Sequence, residues 1–277
     1  MGYEELIRDA LATPFEGWDW AVFRGRMTTA GDLPWDYERL ARDRLARTPS
    51  LLDLGTGGGE LLASLTPLPP RTAATEGYPP NLPIARDRLE PLGVEVAESS
   101  GHFPDGSFEL IVDRHESYDP HEIRRLLAGG GTFLTQQVAG RDLEELNAAL
   151  GGPPHDDHSW DLATAAAALD TAGLEITWSA EAGYPVVFHD VGALVLYLRV
   201  VSWQVPGFDA GAYEDRLRAL HADMPLEATA RRFALTARPV NGQAGAAATR
   251  GRRAPRAGAP RWARSPAASS APSAAAS

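Results

Sequence analysis

Asp53, Gly55, Gly57 and Gly59 fall at alternate positions in Leu51-Leu52-Asp53-Leu54-Gly55-Thr56-Gly57-Gly58-Gly59-Glu60. An acid near the end of an apolar run is followed by residues that let backbone approach a ligand or adopt positive φ. Leu61, Leu62 and Leu65 then begin a helical spacing. The pattern predicts a strand, a tight turn and a helix whose N-terminus points at whatever the turn holds. Glu76 lies 21 residues after Gly55, close to the ~20-residue interval at which an acid at the next strand tip meets ribose hydroxyls. A carboxylate can accept both hydrogen bonds of a vicinal diol. A third group, Arg114-His115-Glu116-Ser117-Tyr118-Asp119, follows another apolar run. His115 titrates in the range of a general base, and Glu116 could orient it or bind a cationic substrate. The alternative is that these groups hydrogen-bond a cofactor or cap the next helix.

The glycine register separates two cofactor classes. A dinucleotide turn has Gly-x-Gly-x-x-Gly. Counted from Gly55, its third glycine would fall on Glu60. Asp-x-Gly-x-Gly-x-Gly instead resembles motif I of the class I S-adenosylmethionine (SAM)-dependent methyltransferases. Phe103-Pro104-Asp105-Gly106-Ser107-Phe108-Glu109 is similar to the segment before the fourth strand of that family, and Leu126-Leu127-Ala128-Gly129-Gly130-Gly131 to its turn into the fifth. The resemblance covers about residues 50–140. It implies an α/β, Rossmann-like sheet of seven strands with the last antiparallel, S-adenosyl-L-methionine as cofactor, and methyl transfer as activity. The cofactor-binding positions it implies are Asp53, Gly55, Thr56, Gly57, Gly59, Glu76, Gly77 and Arg114, with Glu98 and Ser99 as candidates for the adenine contact. His115 and Glu116 are the catalytic candidates beside the transferred methyl. The 114–119 segment is not the Asn-Pro-Pro-Tyr-like motif of amide or adenine amino methylases.

Composition narrows the substrate. The 277-residue chain has no cysteine, which excludes disulfides and a thiol nucleophile. All 26 basic residues are arginine, which excludes lysine Schiff-base chemistry. No apolar run reaches the ~18 residues of a membrane span, and a cytoplasmic protein is expected. From about Val240 the sequence is Ala-, Gly-, Pro-, Ser- and Arg-rich, so residues 239–277 are expected to form a disordered tail. That tail carries six arginines and no acid, leaving 20 basic against 37 acidic side chains, net −17, in the rest. So acidic a body argues against nucleic acid as substrate and for a small molecule, a secondary metabolite being one such substrate. An RNA methyltransferase guided by the basic tail and a non-catalytic SAM-binding protein are the alternatives.

Around this centre the chain divides into an N-terminal helical cap (1–49), a SAM-binding domain (50–238) and the tail. In the cap, Trp35 and Tyr37 are expected in the core, and Trp18 and Trp20 in either lid or core. The sixth strand is expected over Leu174–Ala180 and the last over Arg232–Arg238, with an insert between them, 182–230. The sixth strand is parallel, so the insert should emerge on the ligand side and roof the substrate pocket. Tyr184, His189 and Asp190 lie in it, with His189 a second base candidate. His155-Asp156-Asp157-His158 precedes a helix, and Asp157 or Ser159 as its N-cap is preferred to metal ligation; no metal is expected.

Overall fold

The computed structural model describes residues 1–15 and 20–240; Trp18 and the tail beyond Val240 lie outside the described residues. Among those described, eight strands form one sheet in the order β1-β7-β8-β6-β5-β2-β3-β4. Strands β2 (Ser50–Leu54), β3 (Arg71–Thr75), β4 (Glu95–Ala97), β5 (Phe108–Arg114) and β6 (Leu127–Val138) are mutually parallel. Strand β8 (Leu226–Pro239) runs antiparallel between β6 and β7 (Leu174–Phe188). Short, apolar β2, buried at all five positions, is what a strand covered on both faces requires.

Side-chain alternation splits the sheet into two packed faces. Leu52, Ile111, Phe133 and Phe233 pack on one side with α5 (Pro120–Leu126) and α7 (Leu162–Thr171). Leu51, Leu110, Val112 and Leu134 pack on the other with α2 (Tyr37–Leu45), α3 (Glu60–Ser64) and α4 (Asn81–Leu89). Trp35 and Tyr37 are buried, as expected. Among the described residues no helix is long and apolar enough to cross a membrane.

Three expectations change. The sheet has one strand more than seven: β1 (Met27–Thr29), within the N-terminal segment read as helical, pairs antiparallel with β7. It follows from the length of β7, which runs to Phe188 rather than stopping at Ala180 and presents an edge that β1 covers. Strand β8 likewise begins at Leu226, so both ends of the 182–230 insert are strand and only 189–225 departs from the sheet. Finally, Asp161, not Asp157 or Ser159, caps α7; it is the extended residue next to the first helical turn and accepts the Thr164 N–H at 2.8 Å.

The departing segment builds its own core. Helix α8 (Val191–Val200) is buried at every position from Val191 to Leu198. It packs with α1 (Tyr3–Ala12), α6 (Glu144–Leu150), Leu217 of α9 (Glu214–Ala222) and the extended ends of β7 and β8. Trp20 joins this cluster, beside Phe23 and Tyr197. Since β7 is parallel to β6 through β8, the segment leaves the carboxyl side of the sheet.

Candidate functional site

The glycine turn sits at the carboxyl end of β2, between β3 and β5. Gly55, Gly57 and Gly59 have φ of 64°, 62° and 80°, a region that strains residues bearing a Cβ. The turn is stitched to β3: Gly55 N–H donates to Thr75 Oγ1 at 3.2 Å and Thr56 N–H to the Thr75 carbonyl at 2.9 Å. A Cβ on Gly59 would lie 2.8 Å from Leu89 Cγ, and one on Gly55 would run into the Glu116 side chain. The glycines thus serve both backbone shape and the close approach of neighbours.

Acids surround the turn. Asp53 is buried in β2, and burial pushes its carboxyl up to about 7. Glu76, at the tip of β3, is raised by burial and held back by backbone N–H groups, one of them that of Tyr78 at 2.7 Å. Gly77 follows it beside the Glu98 carbonyl. Glu98 and Ser99 are exposed just past β4, so they lie along the same edge, two strands from the turn. Glu116 is half-buried against Gly55; desolvation there pushes it up to about 7 although it accepts both the N–H and the hydroxyl of Ser117.

His115 takes φ of 65°, unusual for a residue with a Cβ. It is buried, and burial, together with Arg114 and Arg232, holds its imidazolium well below the ordinary histidine range. Trp35 Nε1–H donates to Gln136 Oε1 at 2.8 Å, which turns the Gln136 amide nitrogen toward His115 Nε2, 3.1 Å away. That network assigns Nε2 as acceptor and Nδ1 as the protonated nitrogen. Nδ1 is buried and has no hydrogen-bond partner among the described residues. The neutral ring is therefore a donor waiting for an acceptor, with its one lone pair already engaged.

Below this ring, Asp113 closes the end of β5. Its Oδ1 accepts from Gln137 Nε2 at 2.7 Å and Thr135 Oγ1 at 3.2 Å, and Gln137 also donates to the Glu116 carbonyl. Burial first, and the Glu116 charge second, drive the Asp113 carboxyl well above the usual range. Asp119 caps α5 through the His121 N–H. His189 is remote in kind: exposed, with Nε2 2.8 Å from Thr28 Oγ1. Asp190 is tied to Arg26 and caps α8, and Tyr184 is buried beneath Arg232. Among the described residues no group of three or more His, Asp or Glu side chains could hold a metal ion.

No family model and no curated protein sequence matches the chain. Solved structures do. A protein of unknown function from Deinococcus radiodurans aligns over 77% of this chain and 91% of its own, at 18% identity and a TM-score of 0.54. A putative methyltransferase from Bacillus halodurans aligns over 74% and 99%, at 15% identity and a TM-score of 0.53. The YcgJ protein of Bacillus subtilis aligns over 74% and 99%, at 14% identity and a TM-score of 0.52. The chain has the Rossmann-like methyltransferase fold.

On that fold, Asp53, Gly55, Gly57, Glu76, Gly77 and Glu116 come together at one edge. Sequence reasoning missed the relay from Trp35 through Gln136 to His115, and the Asp113–Gln137 pair below it. Two adjacent amides at the end of a buried strand, Gln136-Gln137, were the available signal, because an apolar strand keeps such groups only where they have partners. Arg232 and Asp142, a buried ion pair at 2.5 Å, carried no local pattern.

Proposed function

We propose that this chain is a SAM-dependent methyltransferase acting on a small molecule. The observation that carries the reading is the turn itself: three glycines at positive φ at the end of a buried strand, ringed by the carboxyls of Asp53, Glu76 and Glu116. The donor set suits the cofactor. SAM carries a sulfonium and an ammonium, which carboxylates attract, and a ribose diol, which Glu76 can accept in bidentate fashion. When bound, SAM supplies an electrophilic methyl group. The chain's part is positioning: Gly55 and Gly57 admit the ligand to the backbone, and Glu98 and Ser99 stand at the adenine end. Glu116, beside Gly55, would face the cationic centre.

His115 and Glu116 then divide the work. His115 would donate its Nδ1 proton to an acceptor oxygen of the substrate and orient it, while Glu116 supplies the basic lone pairs. Segment 189–225 and α1 would form the roof over the substrate side. Calorimetric titration with S-adenosylhomocysteine tests the cofactor. Saturable binding to the parent chain, abolished by Gly55→Val, is expected. Binding of a nicotinamide dinucleotide with no response to S-adenosylhomocysteine would overturn the reading.

A further inference from the structure

A cavity of about 370 Å³ opens beside the start of α7, between Ala139 after β6 and the middle of β7 and β8. None of its residues was singled out above as cofactor-binding. One wall is Trp160, backed by the buried Phe233 ring with centroids 5.7 Å apart. The row continues through Trp160 to Tyr118, 6.2 Å away, and Tyr118 belongs to the segment that carries His115 and Glu116. Trp160 thus stands between the cavity and the segment that carries His115 and Glu116. The indole N–H of Trp160 is buried and has no hydrogen-bond partner among the described residues.

The charged lining sorts by what is already engaged. The Arg232 guanidinium is bound by Asp142 at 2.5 Å, and that of Arg231 lies 3.4 Å from Glu144 and 3.2 Å from Glu145. His158 faces Glu144 at 3.2 Å. Asp161 is spent as the cap of α7. Exposed Arg141 and exposed Glu181 remain. Arg141 makes no ion pair within 4.0 Å among the described residues, although its charge reaches Asp161 and adds slightly to the cap's hold on that carboxyl. A guanidinium of this kind prefers a planar oxyanion, which it can meet with two parallel N–H donors.

We propose that this cavity binds a planar, aromatic monocarboxylate, its ring against Trp160 and its carboxylate on Arg141, with Glu181 disfavouring a second negative charge. Resting on the methyltransferase reading above, the proposal makes this ligand the class of the methyl acceptor. The volume is that of a small-molecule site, and the aromatic wall with a single unengaged cation selects for both halves of such a ligand.

The test uses the full chain and two probes of equal shape, indole-3-carboxylate and indole-3-carboxamide. Binding is followed by the shift of the Trp160 indole N–H resonance, assigned by its loss in Trp160→Phe. The carboxylate should bind about tenfold tighter than the amide, the worth of a charge-assisted hydrogen bond. Arg141→Ala should erase the difference, and Glu181→Gln should tighten the carboxylate. Both side chains are exposed, so neither change endangers the fold. Equal affinity for the two probes, no effect of Arg141→Ala, or no response at Trp160 would overturn the site. Titration with S-adenosylhomocysteine in the same samples separates the two ideas: carboxylate binding without it removes the acceptor role and keeps the site, and its binding without carboxylate keeps the methyltransferase reading and overturns the site.

Discussion

The β2-β3-β4 half of the sheet and the β6-β8-β7-β1 half are built on opposite plans. On the first, strands are three to five residues long and the polar groups sit in the turns that follow them. On the second, β7 and β8 run 15 and 14 residues, and the polar groups emerge from the strands themselves: Gln136 and Gln137, Glu181, Arg231 and Arg232. Each short turn also satisfies its own acid locally, as Glu76 with the Tyr78 N–H and Glu116 with Ser117. Long strands pair residues fifty or ninety positions apart, as Ala182 with Arg232 and Arg232 with Asp142. The first half is arranged to bind, and the second to hold a surface in shape.

If that contrast is right, the largest loss of stability should come from the second half. Asp142 accepts from Arg232 Nη1 at 2.5 Å and from the Arg231 N–H at 2.6 Å. Asp142→Ala leaves a buried guanidinium uncompensated, which costs about 3–5 kcal/mol. A urea titration should report that loss, while affinity for S-adenosylhomocysteine, measured on the protein that remains folded, should change little. An affinity loss as large as the stability loss would break the division.

Glu76→Ala is the mirror experiment. Removing the carboxylate should weaken S-adenosylhomocysteine about 10- to 100-fold, the range for hydrogen bonds to a charged group. The urea midpoint should stay close to the parent, since the lost contact is within one turn. Calorimetry and unfolding on the same sample decide it.

The pH dependence sharpens the comparison further. Asp53 and Glu116 are both pushed up to about 7 by burial, from ordinary values of 3.8 and 4.5. Their folded-state values are raised, so the stability they contribute is complete below about 4 and is lost as pH climbs through 7. A cationic ligand needs them ionised, so SAM affinity should rise over the same interval and its binding near pH 6 should release protons. The free protein's melting temperature and the cofactor's affinity should therefore move in opposite directions between pH 5 and 8. Parallel movement would show that these carboxyls do not face the ligand.

The smallest effect is expected from Trp35→Phe. It removes the donor that orients Gln136, worth about 1 kcal/mol of stability, and frees the amide to turn its oxygen toward His115. The nitrogen chemical shifts of His115 should then change tautomer pattern. Unchanged shifts would mean that the relay does not set the ring.

The same contrast explains what was legible in the sequence. Residues 50–114 read almost to the residue, since β3 lies over Arg71–Thr75 and Glu76 at its tip, as the spacing implied. Local pattern suffices where strand, turn and helix are consecutive. The far half was legible only in its direction. The insert does leave from the carboxyl side, but β7 continues through Gly183 and Pro185, residues that read as the end of a strand. Pairing with β8 on one side and β1 on the other holds them extended, and no local signal encodes a partner 150 residues away. His115 was visible as a titratable group, but the proton's place on its ring depends on Trp35 and Gln136, one of them eighty residues upstream.

Strands β7 and β8 belong to two cores at once. Their inner ends complete the methyltransferase-like sheet, and Tyr184, Val186, Phe188, Ala228 and Ala230 on their outer ends are the floor on which α1 and α8 lie. Cutting out 189–225 alone would strand that floor in water, and replacing it alone would ask a foreign segment to fit it. The natural unit of exchange is 174–239 together with α1, so recombination that alters what this protein accepts should cross over at the ends of the hairpin and not at the ends of the loop.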